Sequence, residues 1–284
     1  MKTRIKTDSA RTWALVWLGV MGAVLLWDAL FLNQPAMRRI QQAVLNSTFC
    51  GLAVVGMSLL AGWLIGVGMD AAEAMNRRKT YLSLSFAVNM VRSIPQIVGI
   101  LLGYTMLTAL MLEDLLRGEL VQLLCMSAVV SVFVIPEVVD LIRERIHFFR
   151  AMDFVDAMSC CGINESRIVN VEILWRNSRV HLLHKAISVF GISLFLQCSI
   201  DFVVSVGLSL EVSASNFPVT LGSVLATLDS KQDILAIANL LSDPLYIRAL
   251  LTTHLQGITV GWIIVFSLIC VYKVANGVVK RYSL

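Results

Sequence analysis

STFCGLAVVGMSLLAGWLIGVGM, residues 47–69, carries no charged side chain and exceeds the ~20 residues that take a helix across a bilayer. In lipid the backbone has no water to pair with, so a spanning segment must close its own hydrogen bonds as a helix or join a closed barrel. Barrel-type alternation is absent, and the expected fold class is all-α. Composition agrees: 57% of the 284 residues are hydrophobic and 15% charged, against about 25% charged in soluble domains. The mean hydropathy is +0.78.

Working outward, six spans are expected at about 12–32, 47–69, 82–112, 119–141, 183–208 and 255–274. The third is long for one crossing, and Pro95 predicts that it kinks or tilts. The first follows Lys2, Arg4, Lys6 and Arg11, yet it is too long for a signal peptide and lacks a small-residue cleavage site. It reads as a retained anchor. Of the 23 Lys and Arg, 17 fall on the side that also carries the N-terminus; Arg38, Arg39, Arg117, Lys231 and Arg248 fall on the other. The positive-inside rule then places both termini in the cytoplasm. The net charge of +4 calls for no nucleic-acid partner.

Between Arg143 and Lys185 the hydrophobicity falls and the charge rises. Ala151 to Cys160 reads as one short helix and Ser166 to Asn177 as another, with Gly162 allowing the turn and Asn164 capping the second. Phe154, Ala157 and Met158 recur at helical spacing, as do Ile168, Val171 and Leu174. Such stripes suit burial against the membrane domain, a groove on a partner, or an amphipathic connector lying on the membrane surface.

Chemistry-bearing motifs are sparse. No G-x-x-x-x-G-K-[ST] phosphate loop or G-x-S-x-G nucleophile turn occurs. Gly62, Gly66 and Gly68 fit close helix packing better than nucleotide binding. His147, His181, His184 and His254 are scattered, and interfacial hydrogen bonding suits the first three. Of the six cysteines, Cys50, Cys125, Cys198 and Cys270 fall in spans, while the adjacent Cys160 and Cys161 lack metal-site spacing. No metal site and no catalytic residue are expected. Arg92 and Asp201 are the most interior charges; they line a passage with Asn89 and Gln96, or pair with each other or with a partner subunit. Gln197 could join such a path, and Glu137 and Asp140 beside Pro136 lie nearer the cytoplasmic end.

The insert resembles the cytoplasmic loop of ABC importer permeases, whose pattern is E-A-A, three residues, Gly, nine residues, I-x-L-P. Anchored on Gly162, Asp156, Ala157 and Met158 take the E-A-A positions and Leu174 the Leu. Glu172 stands for the first aliphatic, Ile173 fills the middle position and Trp175 replaces the proline. Arg143-Glu144-Arg145 leading to Phe154-Val155-Asp156 is similar to the stretch preceding that motif, and Arg92-Ser93-Ile94-Pro95 to an aromatic- or Ile-Pro step in the third span. Val206 to Leu210, then Asn216-Phe217-Pro218 and Leu221 to Leu225, resemble the pattern after the fifth span in the dipeptide, oligopeptide and nickel branch. Ser209 replaces a usual Gly and Leu221 a usual Trp.

The resemblance covers about residues 40–284. It implies the six-helix type I importer permease fold, with 1–40 as tail, first helix and start of an outer loop, and 41–284 as the permease domain carrying a coupling loop at about 143–182. It further implies a non-enzymatic subunit of the bacterial inner membrane, paired with a homologous permease, two ATPase subunits that hold ATP and Mg, and an extracytoplasmic binding protein. Phe154, Asp156, Ala157, Met158, Gly162 and Leu174 would form the ATPase-coupling element, and the cargo would be a peptide, a nickel ion or a metallophore chelate. Two rivals are an ion-coupled carrier using Arg92 and Asp201, and a structural membrane subunit. The outer segment Glu211 to Arg248, with a helix start at Asp229 or Ser230, a second at Asp243-Pro244 and an apolar stripe through Ile234, Leu235, Ala238 and Leu241, would lie on the membrane, cover the path or meet a binding protein.

Overall fold

A computed structural model describes residues 9–31, 34–113, 115–207, 217–227, 242–243, 245 and 255–282. Among them every extended element is helical, and five helices, or six if one bent pair counts as a single span, are long and apolar enough to cross a membrane. The chain is thus a helical protein of the polytopic membrane kind. Most of the outer segment expected between 211 and 248 lies outside the described residues.

Helix α1 is Ser9–Phe31 and α2 is Gln34–Ala74. At 1.5 Å per residue α2 reaches about 60 Å, roughly twice the hydrocarbon thickness. It starts well before the expected span at 47, so residues 34–46 are helical rather than an outer loop, and no break separates residue 40 from 41. Arg38 and Arg39 are tolerated because that end stands beyond the apolar core, exposed.

The expected third span is two helices, α3 (Arg78–Ser93) and α4 (Gln96–Leu112), bent by 94°. Proline disfavours the helical conformation of the residue before it, and Ile94 accordingly sits extended at φ −91°, ψ 128°. The break is far sharper than a kink. Helix α5, Glu119–Arg150, runs parallel to α2: Asn46 Nδ2 donates to Glu119 Oε1 at 2.9 Å near one end, and Arg150 reaches Asp70 at the other. Between these contacts, Gly62 faces Val138 so closely that a Cβ would lie 2.6 Å from its Cγ1. Lipid tails are as apolar as leucine, so such tight van der Waals packing at small residues holds the pair together.

Parallel α2 and α5 require the chain between them to traverse the bundle once. Helix α4 does so. Its Gln96 meets the Phe133 carbonyl and Glu137, while Gly103 faces Val129 further along. Helix α3 stays at one level, with Tyr81 on Arg143 and Arg92 on Asp140. The bent pair therefore works as one crossing with a transverse first arm.

The insert comprises α6 (Asp153–Cys160) and α7 (Glu165–Arg167), the latter continuing into a π-wound stretch Ile168–Asn177. Helix α8, Arg179–Gly207, then returns antiparallel to α2, with Phe190 against Gly51 and Cys198 near Ile40. A short α9, Leu221–Thr227, tucks between α8 and α2, and α10 is Leu255–Tyr282. Trp17 Nε1 on α1 donates to Ser267 Oγ on α10, and Asp28 accepts from Thr259. Those antiparallel pairings bring Ser9, Tyr282 and the insert to the same end of the bundle.

Candidate coupling insert and buried polar site

Helix α6 begins two residues later than expected, and its buried anchor is Val155, 7% exposed. Phe154 and Met158 are half-buried against the main core, Phe154 meeting the Phe149 ring edge-on at 6.1 Å. Asp153, Asp156, Ala157, Ser159, Cys160 and Cys161 face outward. The outward face is thus acidic and small, whereas the expected apolar knobs Phe154 and Met158 turn inward; Ala157 alone of that stripe is presented. Gly162 takes φ +75°, a left-handed turn that a side chain would strain. Asn164 Oδ1 accepts from the Ser166 amide at 3.0 Å, the cap read from the sequence.

The second stripe differs more. Ile168, Val169, Ile173 and Leu174 are buried, while Val171 is 41% exposed and Trp175 73%. A π-helix closes i→i+5 bonds, so a face repeats at i, i+1, i+5 and i+6 rather than at the expected i, i+3 and i+6. Leu174, expected in the coupling element, is an internal anchor at 3% exposure. Trp63 Nε1 on α2 donates to Asn170 Oδ1 at 3.0 Å and ties this stretch to the bundle.

Arg150, the last residue of α5, fixes the root of the insert. Its guanidinium donates from Nε and Nη2 to both oxygens of Asp70 on α2, at 3.1 and 2.7 Å. Nη2 also reaches Glu165 Oε1, at the start of α7, at 2.7 Å. One side chain thus joins two spanning helices to the insert. Sequence spacing gave no sign of this: the partners stand 80 and 15 residues away.

Arg92 and Asp201 do not pair. Arg92 donates to both oxygens of Asp140, at 2.8 and 2.7 Å, in an exposed pair at the α3–α4 break. Asn89 is exposed on the same arm, donating to Ser85 Oγ. Lys185 Nζ meets Glu137 Oε2 at 2.8 Å, and Gln96 reaches the same carboxylate. Arg92, Asn89 and Gln96 therefore gather near one level, with Asp140 and Glu137.

Asp201 lies elsewhere. It is 6% exposed on α8 and accepts from Thr220 Oγ1, just before α9. Its neighbourhood is at the height of Ser127, some thirteen residues from Asp140 along α5, roughly 20 Å away. Tyr104, 1% exposed and stacked on Phe217 at 5.5 Å, stands beside it. The Tyr104 hydroxyl and Gln197 Nε2 have no hydrogen-bond partner among the described residues, and the gap between them is too tight for water. Asp201 thus belongs to a closed polar cluster, not to the Arg92 level. Asp28, fully buried on α1 with one oxygen unpartnered, is a second buried carboxylate; its place in an apolar run was the signal for it.

The Thr220–Asp201 contact makes a testable latch. Asp201→Asn keeps an acceptor and should hold stability within about 1 kcal/mol, whereas Asp201→Leu strands the Thr220 hydroxyl at a cost of ~1–3 kcal/mol. Thermal unfolding of the purified chain ranks them; a leucine variant as stable as the parent would rule the latch out.

Comparison with protein families finds no match for this chain, and comparison with curated proteins finds none either.

Proposed function

We propose that this chain is a permease subunit of a bacterial ABC importer, forming half of a translocation path for peptides or related small solutes in the inner membrane. Nickel or metallophore-chelate import is the alternative cargo on the same architecture. The observation that carries the reading is α6: a short helix with Asp153, Asp156 and Ala157 outward, whose root is braced to two spanning helices by Arg150. A connector that merely lies on a membrane buries its apolar face in lipid. Here Phe154 and Met158 are spent on the protein's own core, and the outward face suits a polar or basic cleft of a soluble partner.

The chain carries no phosphate loop of its own, so the proposed work comes from two partner ATPase subunits holding ATP and Mg, with both termini and the insert in the cytoplasm. A homologous permease would complete the path and an extracytoplasmic binding protein would deliver cargo. When the ATPases close, α6 moves as a rigid knuckle, and the Arg150 brace passes the displacement to α2 and α5. A docked contact of this kind supplies ~1–3 kcal/mol of coupling, and two loops per transporter share the load.

Asp156→Lys tests this. Uptake should fall at least tenfold while membrane insertion and thermal stability stay unchanged, since Asp156 is exposed. Unchanged uptake would remove the docking role. Co-purification of a Walker-motif ATPase with the intact chain is the companion measurement. A second reading, an ion-coupled carrier, draws on Asp201, which has no cationic partner among the described residues. Uptake that survives deletion of the ATPase would favour it.

A further inference from the structure

Helix α1 leans along α10 and barely touches α2, which leaves a cleft of about 590 Å³ between α1, α2, α8 and α10. Its walls are almost wholly apolar. On α1 the lining runs from Ala14 to Leu25 and on α10 from Ile263 to Val274, about 16 Å of height at 1.5 Å per residue. Of its few polar side chains, Trp17 and Ser267 satisfy each other across the wall. Nothing within the cleft calls for a polar ligand.

The α2 wall points to the occupant. Gln41, Leu45 and Thr48 line the cleft, and Arg38 lies one turn further along the same helical stripe, beside Arg39. These two guanidiniums bound a shallow depression with Gln34, Pro35 and Gln42. Both are exposed, and neither makes an ion pair or hydrogen bond among the described residues. At the opposite end, among the residues whose side chains are described, Lys273 is engaged over the Trp13 ring at 5.7 Å. An apolar slot ending in two adjacent guanidiniums that are unpaired among the described residues has the polarity of a lipid: tail inside, anionic head at Arg38 and Arg39.

We propose that this cleft binds one acyl chain of an anionic phospholipid, whose phosphodiester is held by Arg38 and Arg39. Guanidinium forks match phosphate oxygens in a way a zwitterionic headgroup exploits less, because its own cation competes for the same phosphate. The site is independent of the transport reading, since it uses neither the insert nor Asp201.

The test is native mass spectrometry of the full chain released from nanodiscs holding equal phosphatidylglycerol and phosphatidylcholine with identical acyl chains. Retained phosphatidylglycerol should exceed phosphatidylcholine at least fivefold. The double variant R38Q/R39Q should bring that ratio near one, and Thr48→Trp, at an exposed wall position, should lower retention of both lipids. Equal retention by the parent chain would overturn the proposal. So would a ratio that survives R38Q/R39Q, or a protein mass in place of lipid. Melting temperatures of the variants within a few degrees of the parent confirm that binding, not folding, is being read.

Discussion

Arg150→Met should destabilise the chain by roughly 2–3 kcal/mol and, on the proposed function, reduce uptake far more than that loss of stability accounts for. Breaking a buried ion pair typically costs ~3–5 kcal/mol because the remaining charge is stranded. Here Asp70 is nearly buried, with its side chain 9% exposed, but Arg150 is 31% exposed, so water screens part of the cost. Glu165, 58% exposed, adds little of its own. What Met takes away is the joint between α2, α5 and the insert. ATP hydrolysis by the reconstituted complex should then persist while uptake per ATP falls at least tenfold. Arg150→Lys should recover much of the stability but less of the coupling, since an ammonium cannot hold two carboxylates with the same fork. Normal uptake per ATP in the methionine variant would sever the insert from the transport cycle.

Gly222→Val should prove the most disruptive single change at the opposite end of the bundle. A Cβ there would lie 2.7 Å from Asp201 Cβ and 2.8 Å from both the Cys198 Cα and its carbonyl oxygen. Two of those three atoms are backbone of α8, which cannot swing aside as a side chain would. Overpacking costs ~1–3 kcal/mol where neighbours yield, and the upper end applies where they do not. The expected result is expulsion of α9, breaking the bonds that Leu221 N makes to Ser47 Oγ and Thr220 makes to Asp201. Cys198, 8% exposed, reports this: in a Cys125→Ser, Cys160→Ser, Cys161→Ser background it should become reactive to a membrane-permeant thiol reagent. An unreactive Cys198 in the valine variant would show that α8 and α9 are not locked as described.

The readings that succeeded share one property: each depended on near neighbours in the chain. Asn164 caps its helix because its side chain reaches an amide two residues on, and Gly162 turns because of its own φ. Pro95 broke the third span for a local steric reason, although the angle was set by where α3 and α4 could pack. The failures were about direction. Phe154, Met158 and Leu174 were correctly placed on helices, but which way each faced depended on α5 and on a π-wound register that composition does not reveal. Arg92 and Asp201 looked comparable as charges in apolar runs; the fold put one at an exposed break and the other in a sealed cluster.

Sequence by itself determined that the chain is helical and suited to a bilayer, because uncharged runs of spanning length leave the backbone no other way to pair. It also marked the insert, because polar residues are excluded from lipid and must gather where the chain emerges. Only the tertiary structure decided that α2 and α5 run parallel, that one arginine clamps both to the insert, and that α1 stands off to leave a lipid-sized slot. Apart from the Arg150–Glu165 bond, those features join residues 73 to 250 positions apart. Their energies come from packing and desolvation at a contact, and neither exists until the helices meet.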